Sequence, residues 1–243
     1  MTSTKSPSLA HDSLKGDELF QRNRSDIFRR TDRLFAGLMV IQWIAGVVAA
    51  VWISPNTWAG AHSETHLHVW SAILLGGLIT LFPVCLALKH PGSKLTRHVI
   101  AVSQMLTSAL LIHLSGGRIE THFHIFGSLA FLACYRDWPV LISATIIVAT
   151  DHFVRGVVYP QSVFGVLTAS PWRVFEHVTW VVFEDIFLII TIRQSTGEMK
   201  AMARHRAALE ATNQLVEAEV TSRTKDLENR QGSCGSRNRR PKS

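Results

Sequence analysis

The stretch that decides the fold is Leu34–Ile53, LFAGLMVIQWIAGVVAAVWI, in which no side chain is charged. About 20 apolar residues are the length that an α-helix needs to cross a bilayer. Three arginines stand just before this stretch, and basic residues beside a first span favour a cytosolic position for that side: Arg29, Arg30 and Arg33. We therefore expect an uncleaved membrane anchor with a cytosolic N-terminus.

Further apolar runs follow the first, and each is a candidate span: 67–88, 98–114, 121–135, 139–154 and 173–192. The chain has 243 residues, of which 47% are hydrophobic and 18% charged, with a formal net charge of +7. This composition excludes intrinsic disorder as the main state. The three cysteines are too few for a disulfide scaffold. The sequence predicts an all-α, polytopic membrane protein with about six transmembrane helices.

An even number of spans places both termini on one side of the membrane. The basic residues test this topology, because short cytosolic segments are enriched in Lys and Arg. They concentrate in the loop after the second span and just after the sixth: Lys89, Lys94, Arg97, Arg193, Lys200, Arg204 and Arg206. Both segments are cytosolic in the six-span topology, so we expect both termini in the cytosol, membrane lipid as a partner and no nucleic acid.

Residues 194–229 are rich in Ala, Glu, Arg and Lys, with apolar residues near heptad spacing. One register places Met199, Arg206, Asn213, Val220 and Leu227 at a, and Met202, Leu209, Val216 and Arg223 at d. An Asn at a specifies register and oligomer state at a cost in stability. The pattern favours a parallel homodimeric coiled coil, and its alternative is a single solvated helix.

The chain thus divides into a cytosolic N-terminal segment, 1–33, a membrane domain, 34–193, a signalling coiled coil, 194–229, and a basic tail, 230–243. The tail is too short for a folded domain and shows no periodicity, so we expect it to be disordered. We interpret it as the end of a truncated reading frame rather than a natural terminus.

Histidines are unusually frequent, and their placement is informative. Eight of the twelve fall at the outer ends of the predicted spans: His62, His66, His68, His113, His122, His124, His152 and His177. Acidic residues accompany them, namely Glu120, Asp151 and Glu176. Ionisable groups within spans are costly and usually face the bundle interior or a wet cavity. Solvated histidines at helix ends are the alternative.

Imidazole and carboxylate together suit a transition metal, and two opposed imidazoles suit a haem iron. We predict a metal or haem site from His113, Glu120, His122, His124, His152 and His177, with the metal left open because no tight ligand motif occurs. Glu120 and His124 share a helix face, whereas His122 points about 160° away from His124, so only one of these histidines can face a central site. A proton-titrating network is the other interpretation.

Three further polar residues lie within the predicted spans, namely Asp151, Glu184 and Asp185. Glu184 lies on the same helical stripe as His177 and about 10 Å deeper by helical rise. Acids at that depth need a partner, a proton or an ion.

Several short motifs together resemble one known module. They are Ser115–Phe126 (SGGRIETHFHIF), Tyr135–Trp138 (YRDW), Asp151-His152, Arg155-Gly156, Pro160–Gly165 (PQSVFG), Glu176-His177 and Phe183-Glu184. This pattern resembles the N-terminal membrane sensor module of bacterial sensor histidine kinases, which also precedes diguanylate cyclase and chemotaxis-receptor outputs. Val216–Glu228 looks like the dimeric signalling-helix linker of such proteins. The resemblance implies a multi-pass protein of the bacterial inner membrane, with a cytosolic kinase or another signalling output as partner.

We therefore interpret the chain as a membrane input module of a two-component-type protein, which passes an outer-face signal to a dimeric coiled coil. No phosphoacceptor-histidine helix pair and no Gly-rich ATP-binding segment follows Glu228, so we expect no enzyme activity from the chain by itself. The alternatives are a membrane metal- or haem-binding protein and a transporter. The linker helix favours signalling, because neither alternative needs it.

Overall fold

The computed structural model describes the backbone of residues 7–59 and 62–237 and the side chains of 13–57 and 62–230. The described elements run in the order α1 (Pro7–Ile53), β1 (Asn56–Ala59), β2 (His62–Thr65), α2 (Leu67–Lys89), α3 (Lys94–Leu114), α4 (Ile119–Leu132), α5 (Trp138–Val158), α6 (Gln161–Phe164) and α7 (Trp172–Arg237). A 3-10 turn, Ala133–Tyr135, follows α4. The prediction of an all-α membrane protein is confirmed, and the short antiparallel pair β1–β2 is the part it did not include.

Among the described residues, four helical stretches are long and apolar enough to cross a membrane: Ser13–Ile53, Leu67–Lys89, Lys94–Leu114 and Trp138–Val158. They correspond to the first, second, third and fifth predicted spans. Helix α4 matches the fourth prediction in position, but it has only 14 residues. The sixth predicted span is part of α7, where Glu176, Glu184 and Asp185 interrupt the apolar run.

The chain forms two compact units, of which the larger comprises Asn23–Thr196. Its core contains side chains from α1, α3, α4, α5 and α7, including Phe35, Ile100, Leu129, Leu141 and Ile192. Large apolar side chains also cover its exterior, among them Leu78, Phe123 and Val158. An apolar exterior around a packed interior suits a bundle that has lipid as its solvent.

Helix α2 contains a π-helical turn at Ser71–Leu75. A π turn leaves a backbone carbonyl without its ordinary helical partner, and the Trp43 indole Nε1–H donates to the carbonyl oxygen of Ala72 at 3.0 Å. The Trp43 ring lies so close to Gly76 and Gly77 that a Cβ on either residue would be 3.0 Å from it. The Gly-Gly pair therefore allows α1 and α2 to pack closely.

A buried charge network joins the helices at the end opposite most of the histidines. Asp137, which precedes α5, accepts hydrogen bonds from Arg97 Nε at 2.6 Å and from Arg24 Nη2 at 3.0 Å. The Arg97 guanidinium lies over the ring of Phe28, 4.1 Å from its centroid. Because Asp137 and Arg97 are both almost fully buried, each charge depends on the other for compensation.

Asp32 of α1 forms a second buried contact at this end. The Tyr135 hydroxyl donates to Asp32 Oδ1 at 2.7 Å, and the Gly92 amide donates to Oδ2 at 2.6 Å. The Tyr135 ring stacks on Phe35 with a centroid separation of 5.6 Å. These contacts tie the α2–α3 loop and the turn after α4 to α1, which explains the Tyr135–Trp138 motif in structural terms.

The smaller unit comprises Met1–Arg22 and Gly197–Ser243. Within it, the described first part of the segment predicted as an N-terminal region, 1–33, packs against the helix predicted to be a coiled coil. A Cβ at Gly16 would lie 3.1 Å from the Arg204 Cα, and Met199, Ala203 and Ala207 are buried. Small residues at this face allow the two helices to approach closely. Lys15 and Glu210 form an ion pair at 3.0 Å at the edge of this contact.

The predicted disordered tail differs from the structure at its start, because α7 continues to Arg237. Extending an existing helix costs little, whereas starting one is expensive, and this favours continuation past Asn229. The rest of the predicted tail, 238–243, lies outside the described residues.

Candidate functional site

Three histidines from three helices meet near one end of the larger unit. They are His122 of α4, His152 of α5 and His177 of α7, which we call the triple-histidine cluster. The ring centroids are 5.5 Å apart for His122 and His152, 5.4 Å for His122 and His177, and 5.9 Å for His152 and His177. His122 and His152 are buried and His177 is half-buried. Each side chain therefore contacts the other two at the edge of the interior.

All three rings are held in the same way, by a carbonyl four residues earlier in their own helix. The Nδ1 atoms lie 3.0 Å from Arg118 O, 3.1 Å from Val148 O and 2.9 Å from Arg173 O, respectively. A carbonyl accepts only, so Nδ1 carries the proton in each neutral ring and Nε2 keeps a lone pair. His122 Nε2 is buried without a hydrogen-bond partner among the described residues. The cluster thus presents three bases with fixed tautomers.

Phe164 of α6 forms the wall beside the cluster. Its ring centroid is 5.0 Å from that of His177 and 6.4 Å from that of His152. Gly156 makes room for it, because a Cβ there would lie 3.0 Å from the Phe164 ring.

Two glycines in positive-φ turns hold this wall in place. Gly117, at φ 76°, lies so close to Gly165 that a Cβ would be 2.3 Å from the Gly165 backbone nitrogen. Gly165 itself has φ 66°. The motifs SGGR and PQSVFG therefore meet as neighbouring turns, and their contact positions Phe164 against the histidines.

A cavity of about 330 Å³ adjoins the cluster. His122, His152 and His177 line it together with Ile119, Ile125, Phe126, Val148, Glu176, Trp180 and Val181. The apolar majority of these residues makes the cavity poor in competing hydrogen-bond donors. A small ion or molecule in it would find imidazole nitrogens and one carboxylate as its polar partners.

His113 lies in a second, neighbouring group. Its Nδ1 is 2.8 Å from Ser162 Oγ, and its ring contacts that of His68 with a centroid distance of 5.0 Å. Arg155 donates to Ser162 Oγ at 2.9 Å and to both oxygens of Asp151 at 2.7 and 2.5 Å. Asp151 Oδ2 in turn lies 3.5 Å from His152 Nδ1. A polar path therefore links His113 to the triple-histidine cluster without making His113 part of it.

His124 and Glu120 do not join the triple-histidine cluster. His124 Nε2 is 2.9 Å from Gln42 Nε2 of α1, and its Nδ1 is 2.8 Å from Ser108 Oγ and 3.3 Å from Ser128 Oγ. Glu120 is exposed and pairs with Arg118 at 3.4 Å. The helical rotation between residues 122 and 124 accounts for this, since only one of the two can face the cluster, and it is His122.

The predicted intramembrane acids Glu184 and Asp185 lie on α7, C-terminal to His177. The Thr145 hydroxyl donates to Asp185 Oδ2, while Asp185 Oδ1 and Glu184 Oε2 are buried without hydrogen-bond partners among the described residues. Asp151, the third predicted acid, instead pairs with Arg155 and also lies near His152. The structure therefore separates the three acids into one neutralised group and one under-satisfied pair.

Within the described residues, no group of three or more His, Cys, Asp or Glu side chains has the geometry of an assembled metal centre. The donor chemistry of the triple-histidine cluster nevertheless fits a transition metal, because neutral imidazoles with an available nitrogen are the usual ligands. Of the six residues predicted from the sequence, the structure groups three in this cluster.

Sequence reasoning did not find Phe164 or the Ser162–Arg155 link. Both belong to short motifs around Arg155 and Pro160–Gly165, whose glycines signal tight turns or close backbone approach. The glycines indicate an unusual backbone conformation, but they do not indicate which helices and turns contact each other.

Comparisons with known proteins give one partial similarity. A stretch of 83 residues is 34% identical to a protein described as transducer protein Htr8 from Halobacterium salinarum, and the match covers 33% of this chain and 13% of that protein. The chain therefore spans a small part of this relative. No protein family profile matches the chain, and no solved structure does.

Proposed function

We propose that the chain is the membrane input module of a signal-transduction protein, which responds at the histidine-bearing face and acts through a dimer of α7. The similarity to a transducer protein supports a signalling role. The apolar helices support a membrane location. The distribution of Lys and Arg supports cytosolic termini. The resemblance of the sequence motifs to a bacterial sensor module supports the bacterial inner membrane.

The observation that carries the proposal is the unpartnered seam on α7. Five seam positions are apolar and 55–70% exposed, at heptad spacing along the helix: Met202, Leu209, Val216, Val220 and Leu227. Such a stripe on an otherwise polar helix suits a second copy of the same helix. Met199 is the exception, because it is buried within its own chain, so the seam offered to a partner begins at Met202.

The same helix also carries His177, which contacts His122 and His152. A ligand that binds this cluster with different affinity in two arrangements of α7 shifts the equilibrium between them. Couplings of about 1–3 kcal/mol are typical of such effects. We infer that α7 links the sensing site to the output, with a cytosolic kinase or a comparable domain as the responding partner.

Disulfide cross-linking of the full chain in native membranes tests the dimer. After replacement of Cys85, Cys134 and Cys234 by Ser, single cysteines are introduced by Leu209→Cys, Val216→Cys and Ala211→Cys. We expect rapid cross-linking at the two seam positions and slow cross-linking at 211, which lies off the seam. Equal rates at all three positions would exclude the proposed register, and cross-linking only at 211 would place the interface on another face.

A further inference from the structure

We propose that the triple-histidine cluster binds one divalent late transition-metal ion through the Nε2 atoms of His122, His152 and His177. The fourth coordination position would face the adjoining cavity of about 330 Å³. Three imidazoles and one open position are the arrangement in which Zn²⁺ keeps an exchangeable ligand.

The ring spacing is the first argument. Three imidazoles bound tetrahedrally at Zn–N distances of about 2.0–2.1 Å place their ring centroids roughly 5 to 5.5 Å apart. The observed separations are 5.4, 5.5 and 5.9 Å. The ring centroids are therefore within a fraction of an ångström of the required spacing, and metal binding would require the three rings to turn so that their Nε2 atoms point to one ion.

The state of the ring nitrogens also favours a bound metal ion. Metal-binding histidines usually donate their other N–H to a carboxylate or a backbone carbonyl, which fixes the tautomer and the ring orientation. All three Nδ1 atoms have such a carbonyl, at 2.9–3.1 Å. His122 Nε2 is buried with no partner among the described residues, although leaving a buried acceptor unsatisfied is costly. A metal ion would satisfy it.

The local charges favour a cation over an anion. Asp151 lies 3.5 Å from His152 and the carboxylate of Glu176 lines the cavity, whereas Arg155 is already engaged by Asp151. A positive ion would gain the three Nε2 lone pairs and the Glu176 side chain. Asp151 is balanced by Arg155, and the Arg173 guanidinium lies over the Phe164 ring, 5.8 Å from its centroid. An anion would face the opposite balance.

The contacts among all three rings also favour a bare ion over a haem. Haem iron takes its two axial ligands from opposite sides of a wide macrocycle. Here each imidazole contacts both of the others. For any pair chosen as axial ligands, the third ring therefore occupies space that the macrocycle would need. The haem interpretation of these histidines therefore does not fit the site.

This inference deepens the proposed function by naming the class of ligand at the sensing face, and it rests on that function only for the consequence of binding. Metal binding itself is measured without any signalling readout. A failure of the dimer test would leave the metal site intact, and a failure of metal binding would leave the dimer intact.

The experiment uses the full chain, purified in mild detergent and stripped with a chelator, with Zn²⁺ as the probe. Competition with a chromophoric chelator gives the affinity and stoichiometry, and X-ray absorption at the zinc edge counts the imidazoles. The variants are His122→Ala and His177→Ala, where His177 is only half-buried and its replacement leaves the interior packed. The matched control is His124→Ala, two residues along the same helix on the other face.

We expect one Zn²⁺ per chain with three imidazole ligands. Each cluster variant should weaken binding by at least the ~10–100-fold seen when a metal site loses a supporting residue, with helical circular dichroism unchanged. The control should bind as the wild type does. The proposal is overturned by absence of stoichiometric binding, by equal losses in His124→Ala and His122→Ala, or by a haem absorption band.

Discussion

Asp137 and Arg97 form a buried ion pair, and removing either charge should strongly lower the stability of the larger unit. The Arg97 Nε–Asp137 Oδ2 distance is 2.6 Å, and each side chain is 9% exposed. Arg24 contacts the same carboxylate at 3.0 Å, but its side chain is 33% exposed. The substitutions Asp137→Ala, Arg97→Ala and Arg24→Ala therefore remove charges from the same network at different depths.

The expected sizes follow from burial. Removing one partner of a buried pair leaves an uncompensated charge and costs about 3–5 kcal/mol, which we expect for Asp137→Ala and for Arg97→Ala. A pair with a solvated member is worth roughly 0–1 kcal/mol, which we expect for Arg24→Ala. Since 1 kcal/mol corresponds to about 2–4 °C in a unit of this size, Tm should fall by about 6–20 °C in the first two variants and by at most a few degrees in the third.

Thermal unfolding of the purified chain in one detergent, followed by circular dichroism, measures these shifts. The double variant Asp137→Ala/Arg97→Ala completes a thermodynamic cycle. Its loss should be well below the sum of the single losses, because removing both partners leaves no buried charge of this pair and only the partly exposed Arg24 without its carboxylate.

Two results would refute this reasoning. A loss for Arg24→Ala equal to that for Arg97→Ala would show that burial does not decide the energetics. Additive losses in the double variant would show that the two charges act independently.

Three further predictions concern other parts of the chain. Reporter fusions at positions 25, 93 and 200 should report the cytosol and fusions at 60 and 165 the outside, and a cytosolic signal at 165 would contradict the six-span topology. Gly117→Ala should lower the Zn²⁺ affinity and Tm more than Gly116→Ala. Both substitutions cost about 1–2 kcal/mol because of the positive φ, but only a Cβ at 117 meets a neighbouring atom, 2.3 Å away. Equal effects would contradict the contact of Gly117 with Gly165. The hydrogen bond from Lys15 lowers the pKa of Glu210. The stabilisation from this ion pair is therefore present above the unfolded pKa of about 4.3 and is lost as pH falls through the lowered pKa. In that lower pH range, hydrogen exchange over 197–210 should accelerate in the wild type and not in Lys15→Met.

The helices were predictable because their signals are local. The length of apolar runs such as Leu34–Ile53 can be read directly from the sequence and predicts a helix. The heptad spacing of apolar residues likewise predicts a helix at the charged end of α7. The 14-residue α4 was also placed correctly, although length alone could not identify it as a span. The positions of His122, His152 and His177 near matching helix ends followed from the alternating direction of the helices.

The partners of each residue were not predictable, because they depend on helix rotation and on contacts between small residues. The sequence allowed either His122 or His124 to face the site, and the packing of α4 against α1 places His124 beside Gln42. No hydrophobic pattern in the sequence predicts the contact of Gly16 with α7. The π turn at Ser71–Leu75 depends on the Trp43 indole, which lies in another helix.

In the proposed six-span topology, the shortness of α4 has a consequence for the surrounding bilayer. Fourteen residues rise about 21 Å, and the 3-10 turn adds about 6 Å, whereas the hydrocarbon core is about 30 Å thick. Such a hydrophobic mismatch is relieved by local thinning of the membrane or by headgroups and water drawn inward. His122 lies one turn from the start of this helix, so a thicker membrane should carry the headgroup region away from it. The acyl-chain length of the lipid would then control how readily the triple-histidine cluster exchanges with the aqueous phase.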